Sequence, residues 1–220
     1  HYFGGLRVSA AGGRLRVVEE ADLEDYVAGV VDAELPNSFP LEAMKAQAIA
    51  ARTYALFHLG DHAREGADLC SQVHCQVYRG APPPEAPAWR AARETAGEVL
   101  VWNGVLVDAM YHSACGGHTA PAWEVRQGKL LPYLCGVSDR AAGGGDAYCA
   151  ARGRMNWTRR LSWWEAERLV SSNLGTVLGQ PGLKPGRLKD LRVAARGRDG
   201  RAIWLEVVAA RGRYRVRGDA

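Results

Sequence analysis

Long apolar runs are missing from this sequence. No stretch of about 18 apolar residues occurs in its 220, so nothing in it reads as a membrane-spanning helix. A secretory signal pattern is also missing, and the chain begins on His1 rather than Met. The expectation is that an export or anchor segment was lost with the missing start. There is no internal repeat, and no G-x-S-x-G elbow of the kind that presents a serine nucleophile in hydrolases. Cysteines are few and odd in number, five, so a pure disulfide framework would leave one over. Charge is not scarce but is divided: residues 1–150 carry 12 Lys and Arg against 18 Asp and Glu, and residues 151–220 carry 16 against 6. A basic C-terminal third can mark a polyanionic partner. Here, however, Arg alternates with apolar residues in Arg211-Gly-Arg-Tyr-Arg-Val-Arg217, as on the solvated face of a strand, and no nucleic-acid motif accompanies it. Nucleic-acid binding is therefore not expected. With 47% hydrophobic and 24% charged residues, the chain has the profile of one folded domain spanning 1–220.

The pattern along the chain reads as α+β, mostly antiparallel strands with an inserted helical segment. Gly5–Ser9 and Arg14–Val18 alternate around Gly12-Gly13, a hairpin. Leu23, Tyr26, Val27, Val30 and Val31 recur at helical spacing up to Leu35-Pro36. An Ala-rich helix follows from about Pro40 to Phe57, with Pro in its first turn. Residues 60–96 look loop-like apart from a short helix at Ala88–Ala96. Glu98–Trp102 and Val105–Asp108 flank Asn103-Gly104, the signal of a type I′ hairpin. Ser162-Trp-Trp-Glu165 fits a capping box opening a helix to about Asn173. Three strands are expected near 188–195, 201–209 and 212–217.

Four groups of residues can carry chemistry. Glu34 ends the first helix in an apolar neighbourhood of Val31, Ala33, Leu35 and Phe39. Desolvation at such a junction favours the protonated form of a carboxyl, which suits a general acid; the alternative is a solvated helix-end glutamate. Asp32 and Glu42 are nearby carboxylates ranked below it. On the Ala-rich helix Lys45 and Arg52, seven apart, share a face, as do Gln47 and Tyr54. Lys45 and Arg52 are either fixed cationic donors for an anionic or sugar ligand, or a solvent-facing stripe. His62, Cys70, His74 and Cys75 offer two imidazoles and two thiols, a tetrahedral zinc set; Cys70 and Cys75 can equally form a disulfide. Finally Tyr111-His-Ser-Ala-Cys-Gly-Gly-His-Thr119 crowds His112, Ser113, Cys115, Gly116, Gly117, His118 and Thr119 into one turn. Its two glycines permit a close ligand approach, so it reads as a polar binding turn more than a nucleophile site. Cys135 and Cys149 bracket a Gly-rich loop and are either bridged or free, which makes Cys115 the odd one.

The run from Leu23 to Leu56, containing Asp32-Ala-Glu-Leu-Pro36 and Met44-Lys-Ala-Gln-Ala-Ile-Ala-Ala-Arg-Thr-Tyr54, resembles the signature of the stage II sporulation protein D family. That family includes the amidase-enhancer (LytB-type) domains. Tyr111–Thr119 resembles its second signature, H-S-x-x-G-G-x-T, and Ser71–Tyr78 and Pro132-Tyr-Leu134 agree in order. The resemblance, covering roughly 5–217, implies a peptidoglycan lytic transglycosylase. Such an enzyme cuts glycan strands between N-acetylmuramic acid and N-acetylglucosamine and leaves 1,6-anhydro ends, on peptide-denuded strands in the sporulation members. It implies Glu34 as the catalytic residue, with Leu35 where the family has Met. It places Lys45, Arg52, Tyr111, His112 and Ser113 near the substrate, with Gln47, Tyr54, Gly116, Gly117 and Thr119 as further binding candidates. It also implies His62, Cys70, His74 and Cys75 as a structural zinc set, with no cofactor for catalysis. The implied partners are glycan strands and a cell-wall amidase, and the implied location is the cell envelope, with an anchor in a missing N-terminus. A non-catalytic enhancer module is the second reading. A zinc hydrolase is the third, and four protein ligands would leave it no open position for water. The sequence departs from the family at Arg126-Gln127-Gly128, where many members have Trp-Gly, and in the Gly-rich 136–156 segment.

Overall fold

The computed structural model describes residues 2–125, 130–152 and 158–218, so Arg126-Gln127-Gly128 and the end of the Gly-rich segment lie outside it. The chain forms two compact units, His1–Tyr111 and His112–Ala220. The class is α+β, and among the described residues the strands form three small antiparallel sheets.

The first unit opens with strands β1 (Gly5–Ala11) and β2 (Arg14–Glu20), paired with Val8 opposite Val17. Both turn glycines, Gly12 and Gly13, take positive φ, which is why the turn needs them. Helix α1 (Leu23–Glu34) stops where Leu35 becomes extended, with φ −118° and ψ 134°. The cause is Pro36, whose ring bars its predecessor from helical geometry. Helix α2 (Leu41–Phe57) has Pro40 just outside it, at the cap, rather than inside the first turn. Helix α3 (Pro87–Glu94) places Pro87 in its first turn, where the missing N–H costs nothing. Val27, Ala28 and Val31 of α1, Met44 and Ala48 of α2, and Ala88, Ala91 and Ala92 of α3 form one core cluster. The alanines let the three helices approach closely.

The hairpin around Asn103-Gly104 is present, with φ 52° and 78° at its turn. Its strands, β3 (Val101–Trp102) and β4 (Val105–Leu106), are shorter than expected. Val107 N–H still donates to Leu100 O at 3.2 Å, but the return bond is lost because the Leu100 N–H goes to Thr53 Oγ1 on α2, at 2.9 Å.

The second unit holds the short helix α4 (Ala122–Val125), helix α5 (Trp163–Val177) and a meander of β5 (Leu188–Arg196), β6 (Ala202–Ala209) and β7 (Gly212–Arg217). The expected capping box is formed: Ser162 Oγ accepts from Glu165 N–H, and the Glu165 carboxylate accepts from Ser162 N–H. The helix runs one turn past Asn173, whose side chain donates to Leu169 O instead of breaking it. Leu174 packs with Leu188 and Val207 as the centre of this unit. Among the described residues no helix is long and apolar enough to cross a membrane.

Candidate active site and metal centre

Glu34 is the last residue of α1 and is half-buried. Its Oε1 accepts the Val77 N–H at 3.1 Å and faces the Tyr111 hydroxyl at 3.4 Å. Tyr111 also lies 3.0 Å from Gln76 Oε1, and Gln76 Nε2 donates to Tyr26 OH at 3.1 Å. Gln76 is only 1% exposed. The segment carrying Gln76 and Val77 reaches Glu34 because α1 has a glycine at position 29. A Cβ there would meet the Tyr78 ring at 2.5 Å and Gly80 O at 2.7 Å, closer than side chains pack.

Tyr111 has one hydroxyl hydrogen and two acceptors. With Glu34 ionised, the phenol donates to the carboxylate. With Glu34 protonated on Oε2, Oε1 is a carbonyl oxygen, and the phenol can keep donating to it or turn to Gln76 Oε1. The network thus accommodates both protonation states a general acid and base must alternate between. Burial, reinforced by the Glu34 carboxylate, pushes the Tyr111 phenol far above its ordinary range, so it remains a donor. Burial does the same to Tyr26, against the opposing hydrogen bond from Gln76. Asp32 lies outside this network; desolvation pushes its carboxyl upward, and Arg79 pulls the other way.

The four α2 residues do different things. Arg52 is fully buried. Its Nε and Nη2 donate to the two Glu24 carboxylate oxygens at 2.8 and 2.5 Å, Nη1 to Glu98 O at 3.0 Å and Nη2 to Ala92 O at 3.2 Å. That guanidinium joins α1, α2 and the end of α3, and it is neither a solvent-facing stripe nor free for a ligand. Lys45 is held between Glu42, at 2.9 Å, and Glu94, at 2.5 Å. These hydrogen bonds raise its pKa and, with Arg90, lower that of Glu94. Gln47 is half-buried, and its Nε2 has no hydrogen-bond partner among the described residues. Tyr54 is buried, stacks on His58 at 4.2 Å and meets Tyr111 edge-on at 6.5 Å. It supports Tyr111 from below. His58, in turn, is gripped by Asp61 at 2.7 Å and by buried Asp108 at 3.0 Å.

His62, Cys70, His74 and Cys75 converge, each offering a ligand atom within 4.8 Å of the others. Cys70 and Cys75 are unbridged. A tetrahedral zinc with Zn–N about 2.05 Å and Zn–S about 2.3 Å needs edges of about 3.3 Å for N···N and about 3.6 Å for S···N. The observed values are 3.3 Å for His62 Nε2 to His74 Nδ1, and 3.3, 3.5 and 3.9 Å for the S···N pairs. The Cys70 N–H points at Cys75 Sγ, and Glu65 faces the other nitrogen of His62, the kind of outer support metal ligands have. Two thiolates and two imidazoles on a tetrahedron fit zinc as a closed, structural ion.

In the second unit His112 and Ser113 are exposed. The rest of that turn is tied to protein. Thr119 N–H donates to Val137 O, and its hydroxyl accepts from Val137 N–H, both at 2.8 Å. His118 bridges to Ser138. The Arg201 guanidinium donates to the carbonyls of Cys115 and His118. Gly116 and Gly117 take φ of 69° and 98°, which the turn requires.

Gln76, Tyr26, His58, Asp108 and Glu24 escaped the sequence reading. Tyr26 was visible only as one residue of an apolar stripe, and Gln76 only as part of the Ser71–Tyr78 run.

The model of the SpoIID family, stage II sporulation protein, matches residues 11–102. Residues 11–102 carry the likeness to the SpoIID family. This segment carries Glu34, the α2 residues and the four metal-ligand candidates, and it ends before the Tyr111–Thr119 run. An uncharacterised protein of Brachyspira hyodysenteriae is 36% identical over 165 residues, 74% of this chain and 42% of its own length. The amidase enhancer of Bacillus subtilis is 37% identical over 116 residues, 50% of this chain and 15% of its own. Stage II sporulation protein D of Bacillus subtilis is 32% identical over 136 residues, 54% and 39% respectively. The chain therefore spans less than half the length of each of these relatives.

Proposed function

We propose that this chain is a cell-wall protein of the envelope that acts as a peptidoglycan lytic transglycosylase, with Glu34 as its general acid and base. The observation that carries the reading is the Glu34 arrangement. One carboxyl oxygen is fixed by the Val77 N–H and faces the Tyr111 phenol, and Glu34 and Val77 lie within the segment that matches the SpoIID family model. Oε1 carries both contacts, which assigns Oε2 to the glycosidic oxygen. Glu34 gives its proton to the leaving O4 of N-acetylglucosamine as the bond to C1 of N-acetylmuramic acid breaks. The C6 hydroxyl of the same muramic residue then closes on C1, and its proton returns to Glu34. Atoms balance with no water consumed. One carboxyl therefore suffices, where a hydrolysing glycosidase positions two. Denuded glycan strands are the substrate this reading favours.

The four-donor cluster is read as a structural zinc site. Its four protein ligands leave no position for an activated water, so it supplies rigidity to the loop between α2 and Gln76 and nothing to the reaction. The likeness to an amidase enhancer supports a second reading, a non-catalytic module that binds wall glycan and assists an amidase. Strand pull-down with Glu34→Gln separates the two. The enzyme reading expects retained binding with cleavage lost. Unchanged wild-type binding with no cleavage by either protein supports the enhancer.

A further inference from the structure

We infer that Cys115 and Cys149 form a disulfide that staples the 112–119 turn to the short 3₁₀ turn at Tyr148–Arg152. Their Sγ atoms lie 3.7 Å apart, at van der Waals contact, although 34 residues separate them in sequence. Cys135, the other candidate partner of Cys149, is exposed, and Cys115 is only 6% exposed. The two cysteine clusters of the chain differ in chemistry. Cys70 and Cys75 stand with two imidazoles, the complement zinc takes. Cys115 and Cys149 stand with one carboxylate, Asp139, and no imidazole in their set. Asp139 accepts the Cys149 N–H at 3.1 Å and hydrogen bonds from both thiols. Those bonds, from Cys149 first, hold its carboxyl below the ordinary range. Burial, then Asp139, pushes the Cys115 thiol up, so a pair of thiolates held for a metal is disfavoured there.

The same asymmetry orders the chemistry. Cys149, half-buried, meets the oxidant, a disulfide-bearing dithiol carrier of an oxidising compartment or glutathione disulfide in vitro. Its thiolate attacks one oxidant sulfur, breaking that S–S bond and releasing one thiol. Cys115 then attacks Cys149 Sγ, breaking the mixed disulfide, and its proton leaves on the departing sulfur, which is released as the second thiol. Two protein thiols become one disulfide, and the oxidant gains two hydrogens. The product closes the path across Pro121, Val137 and Asp139, which the backbone bonds Thr119 to Val137 and Asp139 to Gly117 already draw together.

The test is a peptide mass map of the purified wild-type chain after exposure to glutathione disulfide. It is alkylated under denaturing, chelating and non-reducing conditions, with zinc measured in parallel. The inference expects a Cys115–Cys149 linked peptide and three alkylated cysteines of the five, unchanged in Cys135→Ser apart from the removed thiol. It is overturned by five alkylated cysteines, by a Cys135–Cys149 link, or by a second zinc per chain that Cys149→Ser removes. The wild-type map needs no variant to fold, and the in vitro oxidant makes the result independent of where the protein resides.

Discussion

Replacing Arg52 with Met distinguishes a buried staple from a ligand-binding cation. Met keeps most of the stem and removes the guanidinium. Five hydrogen bonds disappear: two to Glu24 and one each to Glu98 O, Ala92 O and Thr95 Oγ1. Glu24 is 36% exposed in its side chain and can rehydrate in part, which lowers the cost. Ala92 O keeps the Thr95 hydroxyl at 3.4 Å and Glu98 is an exposed residue, so the carbonyls add little to a scale of about 1 kcal/mol per buried unsatisfied group. Breaking a buried ion pair from one side costs about 3–5 kcal/mol, and the exposure of Glu24 places this case near 3. For a unit of roughly 100 residues that lowers the thermal midpoint by about 12 °C or more. Urea titration followed by helical circular dichroism reads the change, since α1, α2 and α3 all lie in the affected unit. A loss under about 1 kcal/mol, combined with weakened glycan binding at intact stability, would refute the reasoning and return Arg52 to the substrate.

Three further outcomes follow from the geometry. Tyr111→Phe keeps the ring against Tyr54 but removes the hydrogen bond to Glu34; strand cleavage should fall roughly 10- to 100-fold in kcat with KM little changed, the scale of a lost hydrogen bond to a charged group. Elemental analysis should find one zinc per chain from the first cluster, and Cys75→Ser should lose it and loosen the loop that brings Val77 to Glu34, read as faster amide exchange at Val77. The Glu165 carboxyl is held below its unfolded value by the Ser162 backbone N–H and hydroxyl, so its support of α5 is full above the ordinary glutamate range and is lost as pH falls through the lowered value; Glu165→Gln, which accepts the same bonds but does not titrate, should remove that acid-dependent loss from an α5-specific readout.

The elements read best from sequence are those with a local cause. Pro36 ends α1, Asn103-Gly104 turns the hairpin, and Ser162 with Glu165 starts α5. All three act within a few residues, where a pattern can be seen. The three-strand tail was legible because its alternation and its turns at Asp199-Gly200 and Arg211-Gly212 agree. What failed was long-range. Spacing on α2 puts Lys45 and Arg52 on one face but says nothing of which element covers it; Glu24 reaches Arg52 from 28 residues upstream. Sequence left Cys135 and Cys149 either bridged or free, and it could not show that the fold sets Cys115 3.7 Å from Cys149. The four metal-ligand candidates were legible by composition alone, and the fold brings His62, Cys70, His74 and Cys75 together. Gln76 gave no signal because a buried amide resembles a surface one until its partners, Tyr26 and Tyr111, are placed.

The central claim is that Glu34 drives cleavage without water. Digesting purified, peptide-denuded strands in H₂¹⁸O and weighing the products tests it most directly. The account predicts 1,6-anhydromuramic ends carrying no ¹⁸O from the wild type, and intact strands from Glu34→Gln. Reducing ends labelled with ¹⁸O, or anhydro ends produced equally by Glu34→Gln, would contradict it.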